Sequence, residues 1–360
     1  MLDNGIIIIT QPIQTGKTTA LMYRISRSKF CDGILTPDID GSRKLLMIRE
    51  KLLVDFQTNK EEESINVGKF HFAKSAFQHA TDYLKNIKPH AGSEIIIDEI
   101  GKLELMKEGF HQALLYHLDL VRCKESEHRL VLVVRDSLLE QVKSAYGLQG
   151  VTTASIIEFM PEYRGLQNLR LQGIVLCGGK STRMGKDKAF LHYHQKEQYW
   201  YVTELFTTID IPVLISCNKH QKEKFAELNN VVVDHPNYGN SGPISGLLSV
   251  HRQKPDYDYI LAGCDYPLLK AKHLKMLKDL SRYGFEAVCF VRATQQNVNE
   301  PLLTYYSNVF IEKLHNSFQS GNTSIRKILD DAHLLRIVAE EDSFLKSFDT
   351  PEDVQTFYQQ

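Results

Sequence analysis

The sequence has no excess of positive charge and no closely spaced pair of cysteines. Its 43 lysines and arginines balance 44 aspartates and glutamates, which gives a formal net charge of -1 over 360 residues. Because nucleic-acid and membrane-surface binders need a clear basic excess or patch, we expect neither kind of partner. The six cysteines are Cys31, Cys123, Cys177, Cys217, Cys264 and Cys289. They include no C-x-x-C pair, so neither a zinc site nor a disulfide framework is indicated.

Long hydrophobic runs are also missing from the early part of the chain. The longest early apolar run, residues 6–9, is followed by the polar residues Thr10 and Gln11. It is too short for a signal peptide or a membrane span. We therefore expect a cytoplasmic protein with reduced thiols and no membrane partner.

In both halves of the chain, short β-branched runs alternate with longer amphipathic stretches. Its 360 residues exceed what one hydrophobic core usually supports, so we expect two domains. In the first half, the pattern predicts strands at 5–10, 67–72, 94–97 and 130–134, and helices at 18–29, 74–87 and 137–146. This alternation predicts an α/β fold with a mainly parallel sheet.

The second half repeats the alternation. The pattern there predicts strands at 171–176, 212–216, 231–233, 259–262 and 287–291, and helices at 199–208, 243–250 and 271–282. Between the halves, the segment around Pro161, Tyr163 and Gly165 has no clear period. We predict a first domain over residues 1–160, a linker over 161–170 and a second domain over 171–360.

Residues 175–189 read VLCGGKSTRMGKDKA, directly after a hydrophobic run. Gly178 and Gly179 lack Cβ atoms, so the backbone there can approach an anion closely. Arg183 offers a planar fork and Lys188 a compact ammonium, and both suit phosphate. This combination predicts a site for a nucleoside triphosphate.

Asp265 follows the apolar run 259–262 and precedes Tyr266 and Pro267. That order places Asp265 at the carboxyl end of a strand, where open α/β sheets bind ligands. A transfer between phosphates brings negative charges together, and a magnesium ion held by one or two carboxylates offsets them. We predict that Asp265 is a magnesium ligand, with the capping of a following helix as its alternative role.

Further motifs follow in order: SCN at 216–218, VVVDHP at 231–236, GPISG at 242–246, AGCDYPLL at 262–269, NEPLL from 299 and FDTPEDV from 348. Together with VLCGGKSTRMGKDKA, this series resembles the molybdenum cofactor guanylyltransferase family over about residues 170–360. Cys177 stands where that family usually has alanine. Several ordered motifs are far harder to obtain by chance than one.

The resemblance implies a Rossmann-like nucleotidyltransferase domain of the nucleotide-diphospho-sugar transferase type. It implies magnesium-dependent transfer of GMP from GTP to the terminal phosphate of molybdopterin, with release of pyrophosphate. It also implies molybdoenzymes or other cofactor-biosynthesis proteins as partners.

The same resemblance assigns roles to individual residues. The implied catalytic residues are Lys188, Asp265 and Arg183. The implied GTP-binding residues are Leu176, Cys177, Gly178, Gly179, Lys188, Asn218, Asp234 and Asp265. The implied metal ligands are Asp265 and Asp349, and Asp349 has an alternative role as the cap of the last helix.

One turn departs from the family. Relatives usually have a G-K-P-L-like turn after the lysine motif, whereas this chain has Gln195, Lys196, Glu197 and Gln198. The change either retunes substrate choice or affects only a surface connection. His192 and His194 lie beside the turn, and without a third ligand we expect them to be packing or surface residues.

In the first half, QPIQTGKTT at 11–19 follows a predicted strand and opens a predicted helix, which is the setting of a phosphate-binding Walker A loop. Gly16 permits close backbone approach, Lys17 suits the β- and γ-phosphates, and Thr18 suits magnesium. IIIDE at 95–99 is typical of a Walker B strand. We predict that Asp98 holds the magnesium water shell and that Glu99 orients an attacking water.

With TPDIDGSRKLL from 36 and DEIGKLEL from 98, these pieces resemble the nucleoside-triphosphatases first known from thermophiles, a P-loop family, over about residues 1–160. Gln11 occupies the position of the first Walker A glycine, so the domain either hydrolyses nucleotide, or only binds it, or only scaffolds its partner domain.

Three other functions stay open on the sequence. The second domain could use CTP or a sugar-phosphate acceptor within the same fold. The chain could be a non-catalytic cofactor carrier, although Lys188 and Asp265 argue against that. Finally, the first domain could be the sole active part.

Overall fold

The chain, as a computed structural model, divides into two compact units, Met1–Leu166 and Gln167–Gln360. The structure describes residues 5–12, 14–60, 63–68, 70–123, 127–166, 169–178, 187–239, 241–339 and 341–358. Both units are α/β, as the sequence predicts.

The first unit is built around a mostly parallel sheet. Its strands are β1 (Ile6–Gln11), β2 (Cys31–Leu35), β3 (Asp38–Ile39), β4 (Ser42–Met47), β5 (Leu52–Asp55), β6 (Ser64–Val67), β7 (Phe70–Ala73), β8 (Glu94–Ile100), β9 (Arg129–Arg135) and β10 (Thr152–Ala154). Its helices are α1 (Lys17–Arg27), α2 (Lys74–Asn86), α3 (Lys102–Leu105), α4 (His111–Arg122), α5 (Leu139–Tyr146) and α6 (Ile156–Phe159).

The strand order of this sheet is β10-β1-β9-β8-β2-β4-β5. Strands β10, β1, β9, β8 and β2 pair in parallel, whereas β4 and β5 are antiparallel additions at one side. Ile8, Ile95 and Leu132 have no exposed surface, because helices cover the parallel strands. The carboxyl ends of β1 and β8 carry the predicted Walker A and Walker B residues.

The predicted strand over 67–72 is wrong. Instead, β6 and β7 pair in antiparallel fashion, with Val67 opposite Phe70. Gly68 has a φ of 63°, a left-handed conformation that glycine adopts without steric cost and that turns the chain there. The predicted elements also omitted β2, β4, β5 and α4, although the buried residues of α4 recur at helical spacing.

The second unit has a mixed sheet. Its strands are β11 (Leu171–Leu176), β12 (Val213–Cys217), β13 (Val231–Val233), β14 (Asp258–Gly263), β15 (Ala287–Arg292), β16 (Leu303–Tyr306) and β17 (Leu334–Ala339). Its helices are α7 (Gln198–Thr208), α8 (Pro243–Gln253), α9 (Ala271–Ser281), α10 (Asn308–Gln319), α11 (Ile325–Asp330) and α12 (Pro351–Tyr358).

The strand order is β17-β15-β16-β14-β11-β12-β13, and only β16 runs antiparallel to its neighbours. Strands β14, β11, β12 and β13 are therefore parallel and end at one edge. Helices α7 and α8 pack on β11 and β12. Gly173 and Gly246 permit this packing, because a Cβ at Gly173 would lie 2.7 Å from Phe206 and one at Gly246 would lie 2.4 Å from Ser216 Oγ.

Candidate functional sites

In the second unit, Leu176 and Cys177 lie at the carboxyl end of the central strand β11. The Cys177 amide donates to the Ser216 carbonyl on β12 at 2.9 Å, and the Cys264 amide donates to the Leu176 carbonyl at 3.3 Å. The chain then continues through Gly178 into residues 179–186. Gly179 and Arg183, both predicted site residues, lie outside the described residues.

Gly178, Asn218 and Asp234 lie together beyond the ends of β11, β12 and β13. A Cβ built on Gly178 would lie 3.9 Å from Asp234 Oδ2 and 4.0 Å from the Asn218 amide nitrogen. Burial raises the pKa of the Asp234 carboxyl to about 6. The three residues therefore lie close together at the carboxyl ends of three parallel strands.

Gln221 and Asp187 support this region, and sequence reasoning missed both. Gln221 Nε2 donates to the Cys177 carbonyl at 2.9 Å and to Asp187 Oδ2 at 2.8 Å. The Asn218 side-chain oxygen accepts from the Gln221 amide at 3.1 Å. The residue types of Gln221 and Asp187 do not by themselves indicate this role. Only the tertiary contacts show that these two side chains hold the ends of the strands in place.

A second group of side chains at the same edge consists of Lys188, Asp265, Ser347 and Asp349. The Ser347 hydroxyl lies 3.0 Å from Asp265 Oδ2 and 3.0 Å from Asp349 Oδ1. Lys188 forms an ion pair with Asp349. Burial raises the pKa of Asp265 to about 6, although the nearby Lys188 ammonium lowers it. The structure thus brings together three residues predicted from separate motifs.

Ser347 is the member of this group that sequence reasoning missed. It lies two residues before Asp349, and a serine in that position is indistinguishable by type from an ordinary loop residue. Its contacts place it between two carboxylates, which it holds near each other.

The oxygen atoms of this group fit a magnesium ion. Asp265 and Asp349 supply two carboxylates, and magnesium prefers oxygen and commonly takes one or two carboxylates with water and phosphate. Within the described ranges, no set of three or more histidine, cysteine, aspartate or glutamate side chains could hold a metal. The donor set therefore suits a metal shared with a phosphate substrate better than a closed protein cage.

The altered turn keeps the backbone shape of a glycine turn. Gln195 has a φ of 59°, in the left-handed region that favours glycine. Helix α7 begins just after it, with Gln198 fully buried. His194 stacks on Tyr201 at a centroid distance of 3.8 Å, and its Nε2 lies 2.7 Å from the Pro267 carbonyl. His194 therefore packs between α7 and the loop that follows Asp265.

In the first unit, the Walker A residues surround the start of α1. Gly16 has a φ of 82° and precedes the helix, whose first residue is Lys17. The Lys17 ammonium donates to the carbonyls of Gln11 at 2.8 Å and Pro12 at 3.0 Å. Burial lowers the pKa of Lys17. A cation and a helix amino terminus thus meet in one loop, which suits phosphate.

Asp98 connects this loop to the neighbouring strand β2. Its Oδ2 accepts from Thr18 Oγ1 at 3.2 Å and from the Thr36 amide at 3.0 Å. Burial raises the pKa of Asp98. The predicted Walker A threonine and Walker B aspartate are therefore in direct contact.

Glu99 is held by two arginines at the end of β8. Arg43 Nη1 lies 3.2 Å from Glu99 Oε1, and Arg135 Nη2 donates to Glu99 Oε2 at 2.9 Å. Glu99 has a φ of 60°, and the pairing of β8 with β9 shifts register between Ile97 and Ile100. Because of this irregularity, the Glu99 side chain points in a different direction from the one that a regular pairing of β8 with β9 would give it.

Gln11 occupies the missing glycine position without filling the loop with its side chain. It is the last residue of β1, and its Oε1 accepts from the amide of Ile156, the first residue of α6, at 3.0 Å.

Glu104 of the DEIGKLEL motif has a structural role. It is 2% exposed, and its carboxylate accepts from the amides of Gly101 at 2.8 Å and Phe110 at 3.0 Å.

The two units therefore define a class of protein that joins a P-loop nucleotide-binding fold to a nucleotidyltransferase fold. Residues 6–156 match the family model of an NTPase, and residues 173–337 match that of the MobA-like NTP transferase domain. The two parts of the chain thus resemble these two families, so the resemblances inferred from its motifs are confirmed, as is its enzyme class of nucleotidyltransferase.

Among curated proteins, a probable molybdenum cofactor guanylyltransferase of Bacillus cereus (strain Q1) is 27% identical over 171 residues, which are 47% of this chain and 84% of the relative. A molybdenum cofactor biosynthesis bifunctional protein of Synechocystis is 27% identical over 183 residues, 51% of this chain and 52% of the relative. The chain thus spans about half the length of that second relative.

Among solved structures, molybdopterin-guanine dinucleotide biosynthesis protein A from Archaeoglobus fulgidus is 22% identical. The match covers 52% of this chain and 97% of the other, with a TM-score of 0.45. As for membranes, none of the helices in the described ranges combines the length and apolarity needed to cross one.

Proposed function

We propose that the second unit transfers GMP from GTP to the terminal phosphate of molybdopterin. The observation that carries this proposal is the meeting of Lys188, Asp265 and Asp349 at the strand edge that also holds Gly178, Asn218 and Asp234. One group suits the phosphates and the other suits the base. The names of the guanylyltransferase relatives support the choice of GTP and molybdopterin.

In this reaction an oxygen of the acceptor phosphate forms a bond to the α-phosphorus of GTP, and the bond from that phosphorus to the β-phosphate oxygen breaks. Pyrophosphate leaves with the electron pair. Lys188 stabilises the charge that develops on the pyrophosphate, and Arg183 binds the same phosphates. A magnesium ion held by Asp265 and Asp349 would add positive charge at the phosphates.

The base is recognised at the other group of side chains. The Asp234 carboxylate accepts from the adjacent N–H donors of guanine, and Asn218 contacts the nucleotide beside it. Leu176, Cys177, Gly178 and Gly179 approach it through the backbone. CTP offers no matching pair of donors, so GTP turnover should exceed CTP turnover when both are measured side by side.

The test is Asp265→Asn in the full chain, incubated with GTP, magnesium and molybdopterin. We expect pyrophosphate release and guanylylated pterin to fall by at least a hundredfold. The matched control is Asp279→Asn, because Asp279 forms an ion pair with Lys275 on α9, away from the proposed site, and should leave turnover unchanged. Full turnover by Asp265→Asn would refute the role of this carboxylate, and a carrier without catalysis would form no product with either protein.

We further propose that the first unit binds a nucleoside triphosphate at Gly16, Lys17 and Thr18 and hydrolyses it. The observation in favour is the direct contact of Thr18 with Asp98, beside the Glu99 carboxylate that would orient a water. Lys17→Ala should lower nucleotide affinity and hydrolysis at least tenfold. Hydrolysis that persists in that variant would locate the activity elsewhere.

We also propose that the protein is cytoplasmic and that its partners are molybdoenzymes or other cofactor-biosynthesis proteins.

A further inference from the structure

A pocket of about 80 Å³ opens beside the Walker B glutamate of the first unit. Thr36, Arg43, Glu99 and Arg135 line one end of it, and phenylalanine side chains line the other. Those phenylalanines are Phe56, Phe70, Phe72, Phe77 and Phe110. The pocket is therefore charged where it meets the proposed nucleotide site and aromatic away from it.

The aromatic wall is one continuous cluster. Phe56 lies 4.8 Å from Phe72 and 4.8 Å from Phe77 between ring centroids, and Phe77 lies 5.0 Å from Phe110. Phe70 lies 6.3 Å from Phe72 and is 39% exposed. Aromatic faces and edges of this kind pack well against a flat ring. The wall therefore favours a planar aromatic molecule as occupant.

The charged end faces the reacting phosphate in the proposed function. Thr36 is hydrogen-bonded to Asp98, which contacts the Walker A threonine. Glu99 lies next to Asp98 in the chain and is fixed by Arg43 and Arg135. A hydroxyl group at this end of the pocket would lie against a carboxylate acceptor and two guanidinium groups suited to phosphate.

The pocket is larger than one attacking water needs. A cavity of roughly 10–15 Å³ is enough to hold one water, whereas this pocket measures about 80 Å³. Orienting one water beside Glu99 needs no aromatic wall. A bound molecule with a hydroxyl group uses both ends of the pocket.

We infer that the first unit is a phosphotransferase whose acceptor is a planar aromatic molecule bearing a hydroxyl group. The acceptor oxygen forms a bond to the γ-phosphorus, the bond from that phosphorus to the β-phosphate oxygen breaks, and the nucleoside diphosphate leaves. The hydroxyl proton passes to Glu99. This inference rests on the proposed binding of a nucleoside triphosphate by the same unit.

The test measures nucleoside diphosphate and inorganic phosphate together, using the full chain, magnesium and either ATP or GTP. Neopterin and benzyl alcohol serve as aromatic hydroxyl probes, and glycerol is the control without a ring. With the aromatic probes, we expect diphosphate to exceed inorganic phosphate at least twofold and the probe to gain the mass of one phosphate. With glycerol, the two products should be equal. Pyrophosphate from the second unit does not enter this ratio.

Substitutions at exposed phenylalanines locate the acceptor. Phe70→Ser should raise the neopterin concentration for half-maximal transfer about tenfold. Phe30→Ser is the matched control, because Phe30 is 63% exposed and lies outside the pocket lining, and it should change neither transfer nor hydrolysis. If the neopterin concentration for half-maximal transfer is the same in Phe70→Ser and in the unmodified chain, the assignment of the pocket is overturned.

Equal amounts of diphosphate and inorganic phosphate with both aromatic probes would overturn the phosphotransferase inference. Calorimetry with a non-hydrolysable triphosphate distinguishes this failure from that of the proposed function. If the analogue binds, only the acceptor inference fails. If neither an ATP nor a GTP analogue binds, nucleotide binding by the first unit fails and the inference fails with it.

Discussion

The hydroxyl of Ser347 lies 3.0 Å from Oδ2 of Asp265, although 82 positions separate the two residues in the chain. The same hydroxyl lies 3.0 Å from Asp349 Oδ1. One hydroxyl carries one proton, so it donates to one carboxylate at a time. Burial raises the pKa of Asp265 to about 6, whereas the hydrogen bond with Ser347 lowers it.

Ser347→Ala should weaken magnesium binding more than it slows the chemical step. Removal of the hydroxyl leaves Asp265 and Asp349 without their common partner, and loss of such orienting contacts typically costs 10–100-fold in metal affinity. We expect the magnesium concentration for half-maximal pyrophosphate release to rise about tenfold, with kcat at saturating magnesium within about threefold. Ser343→Ala, at an exposed position nearby, should have no effect. A fall in kcat alone would contradict this positioning role.

Asp265→Asn should stabilise the metal-free protein at high pH while abolishing transfer. The pKa of Asp265 is raised by burial to about 6 from an ordinary 3.8, so its favourable contribution is complete below about pH 4 and is lost as pH rises through 6. At pH 8 the buried charge costs on the order of 3 kcal/mol, which asparagine avoids.

Urea unfolding in EDTA at pH 4.5 and pH 8 measures this effect. The chain has one tryptophan, Trp200, and it lies in α7, so its fluorescence reports on the second unit. The variant should exceed the unmodified protein in stability at pH 8 and approach it at pH 4.5. A variant less stable at both values would show that Asp265 is not penalised by burial.

GTP affinity should rise as pH increases through about 6. Burial raises the pKa of Asp234 to about 6, and only its charged form can accept from both N–H donors of guanine. Binding therefore favours the deprotonated form and releases a proton. We expect Kd for GTP to fall about tenfold between pH 5 and pH 7 and then level off. Asp234→Asn should flatten this profile, and an unchanged profile in that variant would assign the titration to another group.

Gln195→Gly should stabilise the second unit. A side chain in the left-handed region costs about 1–2 kcal/mol, and Gln195 has a φ of 59°. Glycine removes that strain but gains freedom in the unfolded chain, so we expect a net increase of about 0.5–1 kcal/mol in the free energy of unfolding. Gln295→Gly, at an exposed position without a positive φ, should instead destabilise. Tryptophan fluorescence in urea measures both variants.

Gln11→Gly should restore the Walker A pattern without improving nucleotide binding. Gln11 Oε1 accepts from the Ile156 amide, so glycine leaves the start of α6 without this bond and weakens the end of β1. We expect a loss of about 1–2 kcal/mol in the stability of the first unit and nucleotide affinity within twofold. Circular dichroism measures the stability, and calorimetry measures the nucleotide affinity. A tenfold gain in affinity would show that Gln11 obstructs the loop.

The alternation of short apolar runs with longer amphipathic stretches was sufficient to predict that both units are α/β. Strands β1, β9, β11 and β14 are such short apolar runs, and helices separate them along the chain. This pattern failed at the hairpin of β6 and β7, where one glycine reverses the chain within an apolar stretch. It also failed at β4 and β5, which are antiparallel additions without a helix between them. Strand β4 pairs with β2, and β5 pairs with β4, so both depend on these partners rather than on their own periodicity.

The sequence by itself determined the resemblance to two families and the likeness of Gly16, Lys17 and Thr18 to a phosphate loop, and it made Lys188, Asp265 and Asp349 the candidate site residues. These follow from local motifs, in which residue type and spacing already carry the chemistry. Only the tertiary structure decided that Ser347 joins two carboxylates, that Gln11 points to α6, and that a phenylalanine wall meets Glu99 and its arginines. Those relationships join residues far apart in the chain, and the packing of strands and helices brings them within contact distance.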